Sequence, residues 1–216
     1  MTRQIRSSDT ATRVQTRALA AHRRALVAQL REEIGVPRVV RAGRAMLVML
    51  MGYPGVGKSH CARLLAARLG AAHVATDHLR NRLFIAATYA DEENEAVFGI
   101  AEALVDQLLA EGHAVVLDAT HLLARYRSPA EKVARARGAP IHHVLVSADD
   151  AETRARLKRR MTEREAGDHS DADLGVYDRM RARAFEPPAH GYLEIRNGDA
   201  VGPEIERVAS LIADAE

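Results

Sequence analysis

Three stretches of this chain carry residue types able to move a phosphoryl group. In Gly52-Tyr53-Pro54-Gly55-Val56-Gly57-Lys58-Ser59 the spacing is G-x-x-x-x-G-K-S, that of a phosphate-cradling loop. Its glycines let successive backbone N–H groups turn into one concavity, where a side chain at Gly55 or Gly57 would obstruct the curl. Lys58 then reaches the β- and γ-phosphates, and the Ser59 hydroxyl is placed for Mg²⁺. Pro54, Val56 and His60 complete the phosphate-binding set. A helix opening near Lys58 adds its positive N-terminal dipole.

The second stretch is Asp77-His78-Leu79-Arg80. Asp77 and Arg80 share a helical face if the helix starts at Asp77. Asp77 is then a candidate to take the proton of an acceptor hydroxyl, and Arg80 a candidate to hold the acceptor. A capping Asp with a surface Arg fits the same spacing. The third stretch is Val116-Leu117-Asp118-Ala119-Thr120, an apolar strand ending in an acid. Asp118 is a second Mg²⁺ ligand or else caps the next helix, with Thr120 and His121 close by.

Further along, Arg154, Arg156, Lys158, Arg159, Arg160 and Arg164 make one very basic segment. Arg156 and Arg160 lie one turn apart, where like charges repel unless an anion sits between them. A triphosphate would be that anion, and the polar stretch from Gly167 lets such a segment close over substrate. A solvated basic face is the alternative. His142 and His143 point to opposite faces of a strand and read as structural. His73, His113 and His169 have no metal-ligand spacing. Cys61, the single cysteine, reads as a small buried helix residue.

The elements that must position these residues alternate. Apolar runs at Met46–Met51, 71–76, 114–117, 141–146 and 192–195 read as strands. Helices are expected over residues 58–69, 77–86, 92–110, 125–137, 149–164, 172–184 and 203–213. Alternation of this kind gives parallel β-α-β units and a sheet covered on both faces. Ligands then bind at the carboxyl ends of the strands, where the loop, Asp77 and Asp118 all converge. Residues 1–44 differ, with ten arginines against Asp9, Glu32 and Glu33. They predict a helix over 10–34 that packs on the main domain or a partner, with phosphate-backbone binding as the rival use.

Composition bounds the rest. The chain has 216 residues, 47% hydrophobic and 28% charged, with a formal net charge of +2. That fits one domain with an appendage and demands no nucleic-acid partner. No apolar run reaches the roughly 18 residues of a membrane span. The cysteine usage fits a reducing cytosol, and a cytoplasmic protein is expected.

Together the phosphate loop, Asp77-His78-Leu79-Arg80, Val116-Leu117-Asp118-Ala119-Thr120 and the basic segment followed by Ser170-Asp171-Ala172-Asp173 resemble the small P-loop kinases of the AAA_33, zeta-toxin-like group. Relatives of that group include the kinase domain of polynucleotide kinase and chloramphenicol phosphotransferase. The resemblance covers about residues 45–200. It implies a three-layer α/β core, a five-stranded parallel sheet in the order 2-3-1-4-5, an arginine-bearing lid over about 154–175, and ATP with Mg²⁺. Lys58 and Ser59 match the family's phosphate and metal residues. Asp77 matches the general base of the polynucleotide kinases, Arg80 their acceptor-phosphate arginine, and one of Arg156 and Arg160 the lid arginine. His60 departs from the family, which often has Thr there, and residues 1–44 fall outside the match.

The resulting expectation is an ATP-dependent kinase acting on a nucleic-acid 5′-hydroxyl or a small-molecule hydroxyl. A non-catalytic nucleotide-binding or NTP-switched module, and a zeta-toxin-like sugar-nucleotide kinase, are the rival readings.

Overall fold

The computed structural model describes residues 22–34, 36, 45–84, 90–162, 174–183 and 185–215. Five strands form one parallel sheet: β1 (Leu47–Met51), β2 (Ala72–Ala75), β3 (Val115–Asp118), β4 (Ile141–Ser147) and β5 (Leu193–Arg196). Their order across the sheet is β2-β3-β1-β4-β5, the expected 2-3-1-4-5. The helices are α1 (Arg23–Glu33), α2 (Lys58–Leu69), α3 (Thr76–Leu83), α4 (Asp91–Ala110), α5 (Ala124–Ala136), α6 (Asp150–Thr162), α7 (Leu174–Arg181) and α8 (Val201–Asp214).

The central strand explains the layering. All five residues of β1 are buried, and its side chains alternate between two cores. Leu47 and Met49 join Val74, Leu117, Leu104 and Leu108 on one face. Met46, Val48 and Leu50 join Leu65, Val116, Val146, Val208 and Ile212 on the other. With no tryptophan in the chain, leucine, valine, isoleucine, methionine and alanine fill both layers.

The register brings the ligand-side ends of three strands level. Leu50 lies opposite Asp118, and Ala75 lies opposite the same residue from β2. The Thr76 hydroxyl donates to the Asp118 carbonyl at 3.2 Å, so the start of α3 is tied to the end of β3. Helix α3 begins one residue earlier than the Asp77 start expected from sequence, and α7 is shorter than the 172–184 span. Asp149 caps α6, its Oδ1 accepting from the Ala151 N–H at 2.8 Å.

The described part of the basic N-terminal segment, α1, lies on the main domain. Val27 and Leu30 enter the core that also contains α4. Arg23 donates to the Gly99 carbonyl, and Arg31 pairs with Glu111, both on or next to α4. Glu33 takes two bonds from Arg82 of α3, at 2.6 and 2.8 Å. Residues 10–21 of the expected helix, Arg164, and the 163–173 stretch that includes Gly167 and Asp173 lie outside the described residues. Among those described, no helix is long and apolar enough to cross a membrane.

Candidate functional site

The loop from Gly52 to Ser59 joins β1 to α2 and is braced on three sides. Its first N–H, at Gly52, donates to the Thr120 carbonyl at 3.1 Å. Gly55 has φ +80, and a Cβ there would lie 2.7 Å from Leu157 Cγ, so α6 sits directly on the loop. Gly57 has φ +87, and a Cβ there would fall well under 3.0 Å from Asn197 Nδ2. That amide donates to the Val56 carbonyl at 2.8 Å. Both glycines therefore meet two constraints at once, a left-handed backbone and a neighbour where a side chain would stand. Glycine loop, buried strand and following helix together make the anion cradle that the spacing predicts.

Lys58 is partly buried and donates to the Tyr53 carbonyl at 3.0 Å. Burial pulls its pKa below the ordinary lysine value; the Asp118 and Asp77 carboxylates oppose that pull and Arg160 reinforces it. One ammonium thus feels both candidate acids and one candidate lid arginine. Ser59 and His60 are exposed at the start of α2. Cys61 is fully buried, and burial pushes its thiol up to about 11, consistent with its reading as a packing residue.

Asp118 is 3% exposed. Burial would raise its pKa, but the His73 hydrogen bond, the Lys58 charge and the Ser59 hydroxyl outweigh that and hold it below the usual carboxylate range. His73 Nε2 lies 3.4 Å from Asp118 Oδ2. Ser59 and Asp118 thus share one corner. A hydroxyl and an ionised carboxylate beside a phosphate cradle suit Mg²⁺, which takes few protein ligands and leaves room for water and phosphate oxygens. No cluster of three or more His, Cys, Asp or Glu side chains that could by itself hold a metal is present among the described residues.

Beside the loop lies a cavity of about 220 Å³. Pro54, Lys58, Asp77 and Thr120 line one part of it, and Phe98, Leu122, Leu123, Tyr126, Val176 and Met180 give it an apolar wall. Phe98 and Tyr126 stack with ring centroids 6.0 Å apart. Arg80 also lines the cavity. It is neither a surface arginine nor an isolated cation: only 4% exposed, it pairs with the fully buried Glu93 and donates to Asn94 Oδ1 at 2.8 Å.

The structure distinguishes Arg156 from Arg160 at the phosphate loop. Arg156 Nη1 lies 3.7 Å from where a Gly57 Cβ would be. It is buried and has no hydrogen-bond partner among the described residues, while Nη2 pairs with Glu152 at 3.1 Å. Arg160 acts on Lys58 through its charge.

Five supporting residues have no signature in the sequence. Asn197 follows β5 with nothing around it to mark a loop brace. His73 is paired with Asp118 only through the β2–β3 register. Glu93 and Asn94 reach Arg80 from a different helix. Leu157 reads as an ordinary apolar position of α6.

Comparison with known proteins agrees with this architecture. The kinase CysC (APS kinase) of Mycobacterium tuberculosis, solved with AMPPNP and APS, superposes with a TM-score of 0.60 at 20% identity, covering 79% of this chain and 98% of its own. Kti12 of Chaetomium thermophilum, solved with ADP-AlF3, gives 0.64 at 20% identity, covering 78% and 98%. A gluconokinase of Sinorhizobium meliloti 1021 gives 0.55 at 15%, covering 80% and 98%. Likeness at such identities establishes the fold. No curated protein sequence gives a significant match. The AAA_33 model, described as an AAA domain, matches residues 47–188, which include the phosphate loop, Asp77, Asp118 and α6. That match spans more than half of the chain and carries the loop, both acids and the helix that sits on the loop: the protein belongs to the AAA_33 family of P-loop proteins.

Proposed function

We propose that this protein is an ATP- and Mg²⁺-dependent kinase that phosphorylates a hydroxyl of a small molecule. The observation that carries the reading is that one cavity is lined by both Lys58 and Asp77. A γ-phosphoryl group held by the loop would therefore stand beside a group able to orient an incoming hydroxyl. Kinases accelerate transfer mainly by such positioning and by neutralising charge. The structural neighbours solved with AMPPNP and with ADP-AlF3 support a nucleotide at the loop.

In this reading the loop amides and Lys58 hold the β- and γ-phosphates. Asp77 accepts the proton of the acceptor hydroxyl as its oxygen bonds to the γ-phosphorus. The bond from that phosphorus to the β–γ bridging oxygen breaks, and ADP leaves. Arg156 supplies its unpartnered N–H to the phosphate oxygens, with Arg160 adding charge. Ser59 and Asp118 would hold Mg²⁺, which neutralises β- and γ-oxygen charge when bound. Arg80 forms part of the acceptor wall, its charge already balanced by Glu93.

A small acceptor is favoured over a nucleic-acid end by the cavity's size and apolar wall, and by the use of Arg23 and Arg31 within the protein. Supplying ATP labelled at the γ-phosphate with a panel of hydroxyl compounds tests the reading. Label should appear on an acceptor with wild-type protein and vanish with Lys58→Ala. ATP binding with no transfer to any hydroxyl would instead make the chain a nucleotide-binding module.

A further inference from the structure

Helix α7 has two working faces. Val176 and Met180, one turn apart, line the cavity that also holds Lys58 and Asp77. Tyr177 and Arg181, one turn apart on the neighbouring face, meet the phosphate loop instead. The Tyr177 and Tyr53 rings stand edge to face, with centroids 6.2 Å apart and planes at 80°. The Arg181 guanidinium lies 5.9 Å from the Tyr53 ring centroid.

Magnitudes decide which of these contacts seats the helix. Tyr177 is the one buried residue of α7, at 1% exposed. Its hydroxyl donates to Asp150 Oδ1 in the first turn of α6 at 2.7 Å. The charged ties run from Arg154 Nη2 to Asp178 at 2.6 Å and from Arg181 Nη1 to Asp150 at 3.3 Å. Both are exposed at both partners, where ion pairs contribute little. A buried aromatic ring contributes far more. If the hydroxyl is removed, Asp150 keeps Arg154 and Arg181 as partners, so the ring carries the seat.

The seat rests on parts that touch nucleotide in the kinase reading. Tyr53 belongs to the loop, and its carbonyl accepts from Lys58 Nζ at 3.0 Å. A phosphate held by Lys58 competes with that carbonyl. Helix α6 carries Asp150 at one end, Leu157 against Gly55, and Arg156 beside Gly57. Building on that reading, we infer that Tyr177 is a positioning residue that couples occupancy of the phosphate loop to the stand of the cavity wall formed by Val176 and Met180. Tyr177 does not itself line the cavity and acts through the helix that bears it. Such coupling is reciprocal: a molecule resting on the wall tightens nucleotide by the factor with which nucleotide tightens that molecule.

The test places a thiol on the wall of the full-length protein as Met180→Cys. Cys61 is fully buried, with its thiol pushed up to about 11, so the new thiol is the one open to reagent. Its labelling by iodoacetamide is followed with and without AMPPNP and Mg²⁺, and affinity is read separately with a fluorescent ATP analogue. In Met180→Cys, AMPPNP should slow labelling by about fivefold or more. Adding Tyr177→Phe, which keeps the ring, should preserve that response. Adding Tyr177→Leu should abolish it while analogue affinity stays within a few-fold. Unchanged labelling in Met180→Cys with nucleotide bound, loss of the response in Tyr177→Phe, or a full response in Tyr177→Leu would each overturn the coupling and leave the nucleotide site standing. Joint loss of response and affinity in a folded Tyr177→Leu protein would overturn it too, because an ordinary structural role gives that result. The first two measurements decide even if Tyr177→Leu folds poorly. Failure of Met180→Cys and wild type to bind the analogue would overturn the kinase reading beneath.

Discussion

Replacing Gly57 with alanine perturbs the phosphate loop at its tightest point, and the structure sets the size of the effect. At φ +87 a residue with a Cβ costs about 1–2 kcal/mol more than glycine. The new methyl falls on Asn197 Nδ2, so the amide must move and release the Val56 carbonyl. Leaving that carbonyl buried without a donor adds about 1–3 kcal/mol. Gly57→Ala should therefore lower the unfolding free energy by roughly 2–5 kcal/mol, and weaken ATP-analogue binding more than tenfold. Asn197→Ala alone removes the brace but also the obstacle. The double variant should be less destabilised than the two single variants added, by about 1–2 kcal/mol, as expected for residues in direct contact. Urea denaturation and analogue titration of the four proteins measure this. Strict additivity, or a Gly57→Ala protein as stable as wild type, would refute the idea that Asn197 and Gly57 share one volume.

Other consequences follow from the same contacts. Glu93→Ala removes the buried carboxylate that pairs with Arg80, and should cost about 3–5 kcal/mol in urea denaturation, with Arg80→Met/Glu93→Leu recovering most of it. Burial pushes the His121 imidazole down to about 4, from the ordinary histidine value of 6.5. Between those values the unfolded chain binds the extra proton, so stability falls as pH drops from 6.5 to 4, by up to about 3 kcal/mol, and the contribution is intact above 6.5. His121→Asn, which tolerates a positive φ, should flatten that slope in denaturation measured from pH 7 to 4. Arg156→Ala should slow phosphoryl transfer by roughly a hundredfold or more, whereas Arg160→Ala should have the smaller effect in the same single-turnover assay. An equal or reversed order would remove Arg156 from direct phosphate contact.

The parts legible in the sequence are those governed by local rules. The apolar run before Gly52, the glycine spacing and the helix after Lys58 are all short-range signals, and the structure reproduces each of them. The alternation of strand and helix predicted a parallel sheet, and the strand order came from the resemblance the motifs carried. What was hidden depends on register and tertiary packing. His73 reaches Asp118 only because Ala75 aligns with Asp118 across β2 and β3. Asn197 braces the loop from 141 residues away, and no periodicity marks it. Arg80 illustrates the limit well. Its spacing from Asp77 offered either an anion site or a surface position, and α4 supplies a third outcome by bringing Glu93 to it. His121 was visible as a neighbour of Asp118, but its ring contact with the Leu50 carbonyl, 71 residues earlier, was not.

The central claim is that the loop and Asp77 serve one reaction, and Asp77→Ala tests it most directly. Label transfer from γ-labelled ATP to an acceptor and affinity for an ATP analogue should be measured on the same preparations. The account predicts that Asp77→Ala abolishes transfer while ATP affinity stays within a few-fold of wild type. Transfer at the wild-type rate would contradict it and leave the cavity beside Lys58 without a role in the chemistry.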